Sequence, residues 1–212
     1  MQLIEKYFPT LDPETKERFI LMGKLYPEWN EKINVISRKD IDNLYLHHIL
    51  HSLAIASFLG PLDSGTSFLD MGTGGGFPAI PLATIYPKCT FHLIDRIGKK
   101  LRVAEAIAKE LGLTNITLQH GDIGECHKKF DYVVSRAVMP LNNLVKLTTK
   151  NVAPCPALCK NRYSNGIIAL KGGDIEEESE GIKYPVLEYG INEFFNEPFF
   201  DSKKIIYIPI KK

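Results

Sequence analysis

A short apolar run leads into a string of glycines at residues 68–78, which read Phe68-Leu69-Asp70-Met71-Gly72-Thr73-Gly74-Gly75-Gly76-Phe77-Pro78. The apolar half predicts a buried strand, and the apolar residues that follow Pro78 predict a helix. Glycine permits positive φ and has no β-carbon, so a ligand can lie directly against the backbone. Open α/β sheets bind ligands beyond the carboxyl ends of their strands. We therefore predict a nucleotide-like ligand at the end of this first strand.

From residue 67 onward, short apolar runs alternate with amphipathic stretches, which is typical of βα units. Strands are predicted at 67–71, 90–94, 116–119, 132–135 and 167–170, with two closing strands at 185–189 and 204–208. Helices are predicted between them at 78–86, 99–111 and 141–150. The predicted fold class is α/β, with a doubly wound, mainly parallel sheet of seven strands.

Two helices are predicted ahead of the sheet, at 13–29 and 40–59, with Asp12 as the cap of the first. Pro27 is expected to kink or end that first helix. A chain of 212 residues has room for one sizeable domain with an appendage. We divide it into a helical extension packed on the core, residues 1–61, and a ligand-binding domain, residues 62–212.

Spacing among the glycines separates the classes of nucleotide site. A dinucleotide loop of the form G-x-G-x-x-G needs its third glycine at position 77, where this chain has Phe77. A P-loop needs Gly-Lys-Ser/Thr, which is absent after the glycines. Asp95 follows Gly76 by nineteen residues, at the end of the second predicted strand. A carboxylate there can accept both hydroxyls of a ribose, and capping the helix near Lys99 is the plainer alternative.

The alternate positions Asp70, Gly72, Gly74 and Gly76 resemble the first motif of class I S-adenosylmethionine-dependent methyltransferases. The resemblance implies that S-adenosylmethionine is the cofactor. The turn after the third predicted strand, Gly121-Asp122-Ile123-Gly124, occupies the place where this class binds adenine. An ordinary turn is equally consistent with that composition.

Further motifs, in order between residues 25 and 173, resemble the glucose-inhibited division protein B family. They are Trp29-Asn30, Asn34-Val35-Ile36-Ser37-Arg38, His48-Ile49-Leu50-His51-Ser52, the glycine segment through Pro81, Asp131-Tyr132-Val133-Val134-Ser135-Arg136-Ala137 and Ala169-Leu170-Lys171-Gly172. Members of that family methylate N7 of a guanine in small-subunit ribosomal RNA. The resemblance implies the same activity, with ribosomal RNA or the small ribosomal subunit as the partner.

The resemblance also implies roles for single residues. The cofactor would contact Gly72, Gly74, Gly76 and Phe77 in the loop, Asp95 at the ribose, and Asp122, Ile123 and Gly124 at the adenine. Arg136 would stand at the cofactor and guanine site, which makes it the catalytic candidate; a surface arginine paired with a carboxylate is the alternative. The family usually has aspartate in place of His51 and often arginine in place of Asp122, so the roles of those two positions stay open.

The formal net charge is only +1, so RNA contacts must come from local clusters. We predict them at Arg38, Lys99, Lys100, Arg162 and Lys171, with Lys160 beside Arg162. Solvated surface charge is the alternative for each of these residues. Their summed field matters only if they share a face.

Four cysteines lie at positions 89, 126, 155 and 159, and only the last two are close together. A zinc site needs two close pairs or a cysteine and histidine set, so we expect no metal. No apolar run approaches the roughly 20 residues of a membrane span, and the amino-terminal residues lack the pattern of a secretory signal. We expect a cytoplasmic monomer with no membrane partner.

Three other functions are compatible with parts of this pattern. A methyltransferase of the same fold can act on another RNA, a protein or a small molecule, since fold does not determine substrate. An NAD-binding oxidoreductase also uses a glycine loop, although Phe77 counts against it. A non-catalytic assembly factor would dock on RNA without turnover.

Overall fold

The computed structural model describes residues 1–136, 138–155 and 161–210, and a seven-stranded sheet forms the centre of that part of the chain. Its strands are β1 (Ser67–Met71), β2 (Thr90–Asp95), β3 (Ile116–His120), β4 (Tyr132–Arg136), β5 (Gly166–Gly172), β6 (Leu187–Gly190) and β7 (Lys203–Pro209). They lie in the order β3-β2-β1-β4-β5-β7-β6, and the neighbours pair in parallel except where β7 is involved. The predicted α/β class with a mainly parallel, seven-stranded sheet is confirmed.

The α-helices of the described residues are α1 (Gln2–Tyr7), α2 (Pro13–Lys32), α3 (His51–Leu59), α4 (Ala79–Ile85), α5 (Gly98–Glu110), α6 (Leu141–Thr148) and α7 (Glu176–Ser179). Helices α4, α5 and α6 connect successive strands where the alternating pattern predicts them. Strand β5 is longer than predicted, because Lys171 and Gly172 pair with β7 although they lie outside its buried run. The strand prediction followed the buried apolar residues, so it missed this partly exposed end of β5.

Helix α2 continues through Pro27 to Lys32, so the predicted end near Trp29 is wrong by one turn. Asp12 caps it as predicted, since its Oδ1 accepts a hydrogen bond from the Thr15 N–H at 2.9 Å. The buried face of α2 includes Tyr26 and Asn30 on either side of Pro27. Packing of that face stabilises the helix beyond the point where the local sequence would end it.

The predicted helix at 40–59 is continuous but is not one α-helix. It begins as a 3-10 turn (Ile41–Asn43), widens to a π-helix (Leu44–Leu50) and becomes α-helical only in α3. Apolar periodicity does not distinguish these windings. Two histidines of the π-helical segment, His47 and His48, both contact the carboxylate of Asp40.

The amino-terminal helices and the sheet share one hydrophobic core. Phe19 and Met22 on α2 belong to the same buried cluster as Leu53 on α3 and Phe68 and Phe91 on the strands. A second cluster fills the other face of the sheet beneath α6. The helical extension is therefore packed on the core, and its boundary at residue 61 stays a prediction.

Within the described ranges, no helix is both long and apolar enough to span a bilayer. Cys89 and Cys126 are buried, and Cys155 is half-buried. Cys159 lies outside the described residues, as do Lys160 and Ala137. Among the residues that are described, no three histidine, cysteine or acidic side chains are grouped as metal ligands would be.

We predict that Asn30→Ala costs about 3 kcal/mol of unfolding free energy, because it leaves buried backbone groups without partners. The amide of Asn30, only 4% exposed, bonds the carbonyl and N–H of Ile36 and the N–H of Val35 at 2.8–2.9 Å. Urea unfolding measures the change. Asn143→Ala, at an exposed position of α6, is the control and should change stability by less than about 0.5 kcal/mol. Equal stability of the two variants would contradict the prediction.

Candidate active site

The glycine segment forms a tight turn between β1 and α4 at the carboxyl edge of the sheet. The N–H of Gly72 donates to the Ile94 carbonyl at 2.9 Å, which ties the turn to β2. The N–H groups of Gly76 and Phe77 donate back to the Thr73 carbonyl at 2.9 and 3.0 Å. Gly72, Gly74 and Gly76 have φ values of +71°, +57° and +101°, a region that side chains other than glycine adopt only under strain.

The three glycines differ in what lies beside them. A β-carbon on Gly72 would come within 2.7 Å of a Val138 methyl, and one on Gly76 within 2.7 Å of Ile80 Cγ1. A β-carbon on Gly74 would meet nothing nearer than Lys100 Cδ at 4.0 Å. Gly72 and Gly76 therefore allow the turn to pack against the protein, whereas Gly74 faces open space that a ligand can fill.

Asp70 holds the turn from inside. Its Oδ2 accepts hydrogen bonds from the Thr73 hydroxyl at 2.7 Å and from the Ala79 N–H at 3.0 Å, so it joins the turn to the first residue of α4. The side chain is buried, and Oδ1 has no hydrogen-bond partner in the described part of the chain. Burial raises the pKa of Asp70 to about 7, against the opposing effects of these hydrogen bonds and of Arg136.

Residues of the amino-terminal extension support the same turn. The Tyr26 hydroxyl donates to the Gly75 carbonyl at 3.0 Å. Val35 packs so closely over Gly75 that a β-carbon there would lie 2.7 Å from Val35 Cβ. Because Asn30 fixes the backbone at Val35, helix α2 positions one wall of the site as well as covering the sheet.

Asp95 ends β2 directly beside the turn. Its Oδ2 accepts a hydrogen bond from the Gly74 N–H at 2.7 Å, and its Oδ1 accepts one from the Ile97 N–H at 2.8 Å. The second contact holds the residue that precedes α5 and is not the helix cap that the sequence left open, because α5 has no side-chain cap. The first contact joins the two predicted cofactor elements. Each carboxylate oxygen can accept a further hydrogen bond, so these contacts are compatible with ribose binding.

The turn after β3 is a capped 3-10 turn (Ile123–Glu125). Asp122 Oδ1 accepts from the Gly124 N–H at 2.7 Å, and the Asp122 carboxylate also pairs with Arg96 at 2.7 Å. Glu125 completes the capping box by accepting from the Asp122 N–H. Asp122 thus shapes the turn, and the buried residue that reaches the cavity is Ile123.

A cavity of about 710 Å³ lies between these elements, which is within the range of small-molecule sites. Seven of the predicted residues line it: Gly72, Gly74, Phe77, Asp95, Lys100, Ile123 and Arg136. Gly76, Asp122 and Gly124 are not among the residues that line it. The structure brings the predicted cofactor residues together around one open backbone turn, and their roles in binding stay predictions.

Arg136, the last residue of β4, is fixed in position over the cavity. Its guanidinium donates to the His47 carbonyl at 3.1 Å and approaches His48 Nδ1 at 3.0 Å. The same group lies 4.9 Å from the ring centroid of Phe77. Burial lowers the pKa of Arg136 to about 10, and Asp70 acts against this. Arg136 is therefore still a cation at neutral pH.

Asp40 and His48, which the sequence reasoning did not assign to the site, hold Arg136 there. His48 Nε2 lies 2.8 Å from Asp40 Oδ2, opposite the nitrogen that faces Arg136. Burial, followed by the charge of Arg136, lowers the pKa of His48 to about 4. The neutral ring then donates from Nε2 to Asp40 and accepts at Nδ1 from Arg136. The one sequence feature that could have pointed to His48 is its place in a motif that resembles the family.

The predicted RNA-contacting residues differ in solvent exposure and in their side-chain partners. Arg38, Lys99 and Arg162 are exposed, and Lys100 lies at the rim of the cavity. The Lys171 side chain is only 10% exposed; its ammonium pairs with Glu178 at 2.5 Å and donates to the Met139 carbonyl at 2.7 Å. Glu178 belongs to an acidic segment at 174–180 and also accepts a hydrogen bond from the N–H of buried Leu141.

We predict a pH signature for Asp70, whose pKa rises from 3.8 to about 7 on folding. The folded chain retains a proton there that the unfolded chain loses, so the group stabilises the fold at low pH. This contribution falls as pH rises through that window, by at most about 1.4 kcal/mol per pH unit. The stability of the wild type relative to Asp70→Asn should therefore fall between about pH 5 and about pH 7.

Urea unfolding of both proteins at several pH values measures this difference. The histidines are common to both proteins, so their titration cancels. A difference in unfolding free energy that does not change with pH would contradict the buried, proton-binding carboxyl.

Comparison with known proteins identifies the family. A family model described as rRNA small subunit methyltransferase G, GidB, matches residues 16–185, most of the chain. The ribosomal RNA small subunit methyltransferase G of Bacteroides fragilis is 50% identical over 210 residues, covering 99% of this chain and 100% of that protein. The protein of the same name from Bacteroides thetaiotaomicron is 49% identical, with coverage of 99% and 100%.

Solved structures of methyltransferases share the fold of this chain. A SAM-dependent methyltransferase structure from Aquifex aeolicus aligns with a TM-score of 0.57 at 16% identity, covering 82% of this chain and 99% of that one. That likeness shows the class I methyltransferase fold, and the family assignment depends on the sequence matches. The chain belongs to the rRNA small subunit methyltransferase G family.

Proposed function

We propose that this protein transfers a methyl group from S-adenosylmethionine to N7 of a guanine in small-subunit ribosomal RNA. The observation that carries the proposal is the cavity itself, where the bare backbone at Gly74, the Asp95 carboxylate and the Arg136 guanidinium line one space. Family membership supports the RNA substrate and the type of reaction.

The residues around the cavity fit this cofactor. The absence of a side chain at Gly74 leaves room for a nucleoside against the backbone, and Asp95 can accept the hydroxyls of its ribose. Ile123 offers an apolar surface to an adenine ring. When bound, S-adenosylmethionine supplies a methyl group on a positively charged sulfur. A cavity of about 710 Å³ has the volume for such a ligand.

The chemistry at guanine N7 requires little from the protein. That nitrogen carries an in-plane lone pair, so it attacks a methyl group without first losing a proton. His48 is engaged at both ring nitrogens and needs no catalytic role as a base. Catalysis then comes from holding the reacting atoms in line, an effect that can contribute several kcal/mol. Arg136 serves this purpose by donating to guanine O6 or to a phosphate, which leaves the N7 lone pair free to attack.

The RNA would approach across the open side of this cavity. Lys100 stands at the rim, and Lys99 is its exposed neighbour; phosphate contacts from such residues position a substrate without reading its sequence. Arg38 and Arg162 are exposed and extend the predicted surface. An RNA substrate of this kind is consistent with the predicted cytoplasmic location, and the monomeric state stays a prediction.

The rival functions receive no support from these observations. Phe77 packs against Tyr26 with ring centroids 4.5 Å apart and fills the place of the third glycine of a dinucleotide loop. The relatives are named as ribosomal RNA methyltransferases, which disfavours both a small-molecule enzyme and a factor that merely docks on RNA.

Incubation with methyl-labelled S-adenosylmethionine and unmodified small-subunit RNA tests the proposal. We expect label at guanine N7, and Arg136→Ala should lower turnover by roughly a hundredfold while changing cofactor affinity far less. Arg136 contacts Phe77 and His48 rather than the glycine backbone, which is the reason for this separation. Mass spectrometry locates the label, and calorimetry measures the cofactor affinity.

Lys109→Ala, which removes an exposed cation at the end of α5 that does not line the cavity, is the matched control and should retain turnover. Label in protein or small molecules with the RNA unlabelled would overturn the proposal. Equal losses of turnover and cofactor affinity in Arg136→Ala would instead assign that residue to the cofactor.

A further inference from the structure

A second cavity, of about 420 Å³, adjoins the first. Arg136 and Met139 line both, so the two spaces share a wall. The other polar residues around the second cavity are His51 at the start of α3, Lys171 on β5, Glu178 on α7 and Lys203 on β7. A molecule bound there would lie next to the methyl donor. The volume is ample for a purine base.

The charged groups around this cavity are held in place. Glu178 accepts from the Leu141 N–H at 2.9 Å and pairs with Lys171. The Lys203 ammonium lies 5.2 Å from the ring centroid of Phe199. The ammonium groups of Lys171 and Lys203 are therefore held beside the carboxylate of Glu178. A planar ligand that carries both donors and acceptors can bind to such a set of polar groups.

His51 adds an acceptor that the fold does not use. It is 7% exposed, and its Nε2 has no hydrogen-bond partner among the described residues. Its ring lies edge-on to Phe199 and Phe200, with centroids 5.7 and 5.9 Å away. Burial, then Arg136 and Lys203, lowers the pKa of His51 to about 3. The ring is therefore neutral at physiological pH, and the nearby cations favour a nitrogen lone pair facing them.

We propose that the second cavity holds the target guanine, turned out of the RNA stack, and that His51 selects it by accepting a hydrogen bond from its N2-amino group. This inference rests on the proposed function. Enzymes that modify a base inside a pocket commonly extrude it from the stack. Guanine O6 accepts from Arg136 and Lys203, and the Glu178 carboxylate accepts from N1–H, which inosine also carries. Adenine carries an amino group in place of O6 and would direct a donor at the two cations.

Substrates and variants that differ at single hydrogen-bonding groups test this assignment. Inosine lacks only the N2-amino group of guanosine and keeps N7. With RNA carrying either nucleoside at the methylated position, we expect the wild type to favour guanosine by roughly tenfold or more in kcat/KM. His51→Phe retains the ring and removes the acceptor, so its preference should fall towards unity. His51→Gln supplies an amide oxygen and should retain most of the preference.

His92→Phe is the matched control, because His92 is also buried at 5% exposed but bonds Thr117 and Gln119 away from both cavities. Its guanosine preference should equal that of the wild type. The inference is overturned if the wild type uses both nucleosides equally, or if His51→Phe discriminates as the wild type does while guanine methylation persists. Absence of guanine labelling by the wild type would overturn the proposed function itself.

Discussion

The path of the backbone between β1 and α4 is the constraint on which the site depends. The turn passes so close to Val138 and Ile80 that a β-carbon at Gly72 or Gly76 has no room. Asp70 holds both ends of that turn from the core. With the turn fixed, the backbone at Gly74 is left bare and touches Asp95. The bare backbone at Gly74, where a ligand can bind, therefore depends on how the rest of the turn packs against Val138 and Ile80.

The amino-terminal extension completes the site as well as covering the sheet. Tyr26 and Val35 contact the glycine turn, and the π-helical segment brings His48 to Arg136. Asp40 fixes the orientation of that imidazole by binding its far nitrogen. Without these helices the glycine turn would lose its contacts with Tyr26 and Val35, and the Arg136 guanidinium would lose its support.

Sequence reasoning succeeded where the signal is local. The strand, the glycine turn and Asp95 each lie within a few residues of the pattern that predicts them, and periodicity located the helices between strands. The support of Arg136 joins residues 88 positions apart, and no local pattern records such a contact. Lys171 shows the same limit, because its partner Glu178 lies in an acidic segment that resembles solvated surface. Apolar periodicity also does not detect the change from π-helix to α-helix before α3.

Isothermal titration calorimetry tests the central claim, that the turn at residues 72–77 and the carboxylate of Asp95 form a seat for a sulfonium nucleoside. The account predicts heat of binding with S-adenosylmethionine and none with NAD. Asp95→Ala should bind S-adenosylmethionine at least roughly tenfold more weakly, because the variant loses charged hydrogen bonds to the ribose. Binding of NAD by the wild type, with no heat from S-adenosylmethionine, would contradict the account.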